Sequence, residues 1–134
     1  MTALGLVVAQ FNDSVTSKMQ AAAEEAAADR NAEIAEILEV PGAYDSPLAA
    51  DRLARRDDID AVAVLGAIVS GDTDHDRVIA DAAAQGLTDV SRDRDTPVTF
   101  GVSGPGMSGA EARERVDKGA EAVNAAVDMV EVLA

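Results

Sequence analysis

A chain of 134 residues has room for one packed domain and not comfortably for two, and with 48% apolar but only 2% aromatic residues its interior must be built from Ala, Val, Ile and Leu. Its 25 acidic residues against 11 basic leave a net charge of −14, which repels phosphate backbones and argues against nucleic acid as a partner. There is no cysteine, hence no disulfide or thiolate metal site, and no apolar run approaches the ~20 residues of a membrane helix.

In chain order, "GLVVA" (Gly5–Ala9) is a short continuous apolar run, the pattern of a strand covered on both faces. The opening "MTALGLVVAQFN" has no basic segment ahead of its apolar residues, so it reads as this first strand and not as a signal peptide, and a cytoplasmic location is expected. "SVTSKMQAAAEEAAADR" predicts a helix starting near Asp13 or Ser14. "AEIAEILEV" (Ala32–Val40) alternates as an edge strand would and stops at "PG". A helix follows over Ser46–Arg56, with Pro47 tolerated in its first turn. "AVAVLGAIV" (Ala61–Val69) is the most apolar run and predicts a central strand, followed by a helix over Asp74–Val90. "PVTFGV" (Pro97–Val102) is the fourth strand, "SGPGMSG" a loop, and Ala110–Leu133 one long terminal helix. Acidic residues are scattered along every helix and form no tail, as in the solvating coat of a halophilic protein.

Strands alternating with helices imply an α/β fold with a parallel sheet, because right-handed crossovers place helices on both faces. The simplest arrangement over residues 1–134 is a single flavodoxin-like, doubly wound domain with strand order 2-1-3-4. Ligands in such sheets gather at the carboxyl ends of the strands, here "QFN", "VPGAYD", "IVSGDTDH" and "FGVSGPG".

The third of these ends carries His75, the only histidine, among Asp72, Asp74 and Asp76. Alternating aspartates open a calcium loop, but such a loop needs glycine at its sixth position and an acid at its twelfth, where this chain has Arg77 and Ala83. Zinc or iron would need more nitrogen or sulfur ligands than one histidine offers, so no metal is expected. Lying between a buried strand and the first turn of a helix, the segment instead suits an anion cradle, with the N–H groups of Asp72 and Thr73 near the positive end of the helix dipole. Arg115 and Lys118, at i,i+3 spacing in the terminal helix, are either ordinary solvated charges or partners for a bound phosphate. His75 is either a polar residue at a helix start or a group that takes up and releases a proton near neutrality. Phe11 and Phe100 either plug the end of a small-residue core or offer stacking surfaces. "VPGAYDSP" exposes backbone groups and presents Asp45, or is a plain connection.

Taken together, "FNDSVTSKM", "VPGAYDSPLAA", "GAIVSGDTDHDRV" and "PVTFGVSGPGM...ARERVDKG", each following its strand in order, resemble the 6,7-dimethyl-8-ribityllumazine synthase family over almost the whole chain, most closely its archaeal branch. The resemblance implies condensation of 5-amino-6-(D-ribitylamino)uracil with 3,4-dihydroxy-2-butanone 4-phosphate, without metal or organic cofactor. It implies stacking of the pyrimidine on Phe11, binding of the ribityl chain by Ala43, Tyr44 and Asp45, and backbone contacts to the pyrimidine from Ala67, Ile68 and Val69. It further implies phosphate held by the N–H groups of Asp72 and Thr73 and by Arg115, with His75 moving protons. Phe100 and Arg115 would come from a neighbouring subunit, making a pentamer the minimum unit and a sixty-subunit shell an open question. Relative to the bacterial pattern, Asp45 stands in place of Glu, Ser70 in place of Arg, and Val123 in place of a substrate-side Lys. The rival readings are an archaeal-type riboflavin synthase, which lacks the "GxTxH" arrangement of Gly71–His75, and a non-catalytic flavin or precursor binder, which has no use for His75 and Arg115.

Overall fold

The computed structural model describes residues 1–134. It comprises β1 (Ala3–Ala9), α1 (Asp13–Asp29), β2 (Glu33–Val40), α2 (Ser46–Ala54), β3 (Ala61–Val69), α3 (His75–Arg94), β4 (Val98–Met107), α4 (Gly109–Glu114) and α5 (Lys118–Leu133), with a 3-10 turn at Ala43–Asp45 leading into α2. The four strands form one all-parallel sheet in the order β2-β1-β3-β4, the doubly wound α/β arrangement expected from the sequence.

All seven residues of β1 and eight of the nine in β3 are buried, the signature of central strands covered on both sides. Successive side chains point to opposite faces. Leu4, Leu6, Val8, Ala63 and Leu65 therefore join α1 and α5 in one core, while Val7, Val62 and Val64 join α2 and α3 in the other. Small residues let the layers approach closely. Gly119 of α5 lies directly against the backbone of Met19 in α1, where a Cβ would collide with the Met19 carbonyl.

Two elements differ from the sequence reading. The "SGPGM" segment continues β4 through Met107 instead of forming a loop, with Ser70 N–H donating to the Met107 carbonyl at 2.8 Å. Gly104 makes this possible: its φ of 97° and its contact with the Ile68 carbonyl leave no room for a side chain. The terminal helix is two helices, not one. The backbone turns at Arg115 (φ −110°, ψ 26°), α5 restarts at Lys118, and Arg115 and Lys118 share no continuous helix face.

Candidate active site

At the carboxyl ends of β1 and β3 lies an open cleft of about 460 Å³. β1 delivers Phe11, and the turn after β2 delivers Ala43, Tyr44 and Asp45. The end of β3 supplies Ala67, Ile68 and Val69, and the start of α3 brings Thr73 and His75. Nine of the sequence-derived site residues thus share one cavity, although they come from four separate parts of the chain.

Local geometry explains their placement. Phe11 is 67% exposed, and its ring edge rests on Gly42, where a Cβ would come within 2.7 Å of a ring carbon. Gly42 therefore lets the ring settle against the turn while most of the side chain stays exposed. Asp45 curls back to accept a hydrogen bond from Gly42 N–H at 3.0 Å, which fixes its carboxylate while leaving the residue exposed. Thr73 Oγ1 accepts from His75 N–H at 3.3 Å, bending the connection into the first turn of α3. At Gly71 neither a positive φ nor close packing calls for glycine.

Three site residues lie elsewhere. Asp72 is exposed beside the cleft and does not line it. Phe100 is not at the end of its strand: β4 runs seven residues further, and Phe100 pairs with Val64 in mid-sheet, 37% exposed on the outer edge. Arg115 sits at the break between α4 and α5, its guanidinium 3.2 Å from Glu111 and turned to solvent. Val123, where the resemblance implies a substrate-side lysine, is fully buried in the α1–α5 core and outside the cleft lining.

Two of the lining residues with polar side chains, Asn12 and Asp76, were given no site role by the sequence reading. Asn12 adopts the left-handed conformation (φ 64°, ψ 45°) that asparagine tolerates better than most residues, and donates from Nδ2 to the Ala67 carbonyl at 2.9 Å. Its place between strand and helix in "QFND" was the available signal. Asp76 is buried, and its Oδ2 accepts from Gly106 N–H at 3.0 Å and from Ser70 Oγ at 3.2 Å. The Gly106 hydrogen bond, helped by Ser70 and opposed by burial, holds this carboxyl below the usual range. No cluster of three or more His or acidic side chains is arranged to hold a metal ion.

Comparison with known sequences bears on what this cleft serves. The model of a family described as 6,7-dimethyl-8-ribityllumazine synthase matches residues 2–134. The chain belongs to this family. A lumazine synthase from Halobacterium salinarum is 75% identical over 133 residues, spanning 99% of this chain and 100% of that protein. One from Halorubrum lacusprofundi is 74% identical with 99% of each chain covered. A more distant lumazine synthase, from Methanocaldococcus jannaschii, is 44% identical over 99% of this chain and 94% of its own length. Full-length matches to haloarchaeal lumazine synthases accord with the acidic composition.

Proposed function

We propose that this chain condenses 5-amino-6-(D-ribitylamino)uracil with 3,4-dihydroxy-2-butanone 4-phosphate to give 6,7-dimethyl-8-ribityllumazine, inorganic phosphate and two molecules of water. The observation that carries the reading is the single cleft in which Phe11, the 43–45 turn, the 67–69 strand end, Thr73 and His75 converge, in a chain 75% identical to a named synthase.

In this reading the pyrimidine stacks on the exposed ring of Phe11 and its ribityl hydroxyls reach Asp45. The phosphate sits over the amides of Asp72 and Thr73 at the start of α3, where the helix dipole favours an anion. The substrate amine adds to the ketone carbon and water leaves, forming an imine. A proton is then removed from the hydroxyl-bearing carbon as the neighbouring C–O bond to phosphate breaks, and the resulting enol becomes a ketone. Attack of the ribityl-bearing nitrogen on that ketone closes the ring with loss of a second water. His75 accepts and returns protons in these steps, while the amide cradle stabilises the departing anion. Fluorescent lumazine forming from the two substrates supports the assignment. Riboflavin forming from lumazine alone replaces it with a riboflavin synthase.

Phe100 and Arg115 serve the cleft of an adjacent copy, since both are solvent-facing and neither lines the cleft of its own chain. Self-association, with the pentamer as the smallest unit, then completes each site. His75→Ala slows turnover, and Arg115→Ala raises the KM for the phosphorylated ketone. At limiting ketone, co-refolding equal amounts of the two variants restores up to about a quarter of the sites, since one combination in four pairs an intact His75 with an intact Arg115. A mixture no more active than its components removes the shared site.

A further inference from the structure

We propose that Asp76 is a positioning residue for phosphate recognition: its buried carboxylate ties the connection after β3 to the end of β4 and so holds the backbone of Asp72 and Thr73 in place at the margin of the cleft. The inference rests on the phosphate-binding role proposed above for the amides of those two residues.

A carboxylate at this place is electrostatically costly. Asp72 and Asp74 already oppose a phosphate, and a buried charge is screened less than an exposed one. Asp76 also occupies the first turn of α3, competing for the helix dipole that would favour the substrate. Charge alone therefore makes Asp76 unfavourable for binding, and its hydrogen bonds give it a reason to be there. Oδ2 accepts from Ser70, where the connection leaves β3, and from Gly106, near the end of β4. Gly106 has a φ of 75° and an open flank, with no protein atom within 4 Å of where a Cβ would stand, so side-chain packing does not hold it. Asp76 thus adds a side-chain tie at Gly106 and Ser70 to the backbone hydrogen bond from Ser70 N–H to the Met107 carbonyl, beside the lining residues Gly71 and Thr73.

The sign of one measurement separates positioning from charge. Steady-state kinetics on the assembled enzyme, varying each substrate in turn, is compared for wild type, D76A, D76N and S70A, with thermal melts to check folding. Positioning requires D76A to raise the KM for the phosphorylated ketone, and the inhibition constant of inorganic phosphate, about tenfold, with the KM for the pyrimidine changed less than about threefold. D76N, whose amide oxygen accepts the same two donors, recovers most of the loss, and S70A shows a smaller rise in the same direction. An unchanged or lower ketone KM in D76A overturns the inference, as does an equal rise for both substrates or a D76N variant as impaired as D76A. Should D76A fail to assemble, D76N and S70A decide by the same criteria. A wild-type enzyme that forms no lumazine removes the underlying reading as well, whereas an active wild type with an indifferent D76A removes this inference alone.

Discussion

Gly42 shows how a single missing methyl group shapes the cleft. The Phe11 ring rests where its Cβ would be, so Gly42→Ala must push the ring outward or strain the turn, at about 1–3 kcal/mol. The expected result is a KM for the pyrimidine raised roughly tenfold with the ketone KM little changed, read by steady-state kinetics. Asn12 ties the end of β1 to β3: Asn12→Gly keeps the left-handed backbone but loses the bond to Ala67. Phe11, Asp45 and His75 were legible because each follows a recognisable strand end. Asp76 was not, because a buried carboxylate and its exposed neighbours look alike in "GDTDHD" until Gly106, thirty residues away in sequence, supplies its partner.

At the scale of elements, the order of the four strands could be read from apolar runs and punctuation, since a parallel sheet with short crossovers leaves few topologies. The break at Arg115 could not. "EARERVDKGAEA" has no proline and only Gly119, which is there to pack against Met19 and not to end a helix. The extension of β4 was equally hidden, because its glycines and proline read as a loop until Ile68 is seen against Gly104. α4 is short and depends on its start: Ser108 Oγ accepts from Glu111 N–H at 3.1 Å, and Glu111 accepts in return from Ser108 N–H at 3.1 Å. Ser108→Ala is expected to weaken this helix by about 1 kcal/mol. Faster amide exchange at Gly109–Glu114 with an almost unchanged melting temperature would report it.

For the whole molecule, charge is the dominant variable. A net −14 dispersed over the surface repels itself in dilute buffer, and molar salt screens that repulsion. We therefore expect the melting temperature to rise between low and molar potassium chloride; a flat profile contradicts a halophilic character. Acid acts through the paired carboxylates. The hydrogen bond from Arg94, with further help from Arg55 and against burial, holds Asp51 below its usual value. Glu111 is lowered chiefly by the Ser108 N–H. Stability from such groups is complete above the ordinary carboxylate value and disappears as pH falls through the lowered one. In molar salt the denaturation midpoint should stay level from neutrality to about pH 5 and decline below about pH 4, with a shallower decline in Asp51→Asn.

The seat of Gly119 on Met19 has a reach beyond packing. α1 starts at the cleft beside Asn12, and α5 starts just after Arg115, so contact between them links a chain's own pocket to the segment that carries Arg115. A methyl group wedged into that seat by Gly119→Ala would push the two helices apart at that contact. Under the proposed sharing of Arg115 between copies, the pocket emptied of its phosphate grip would then belong to a different copy from the one that carries the change.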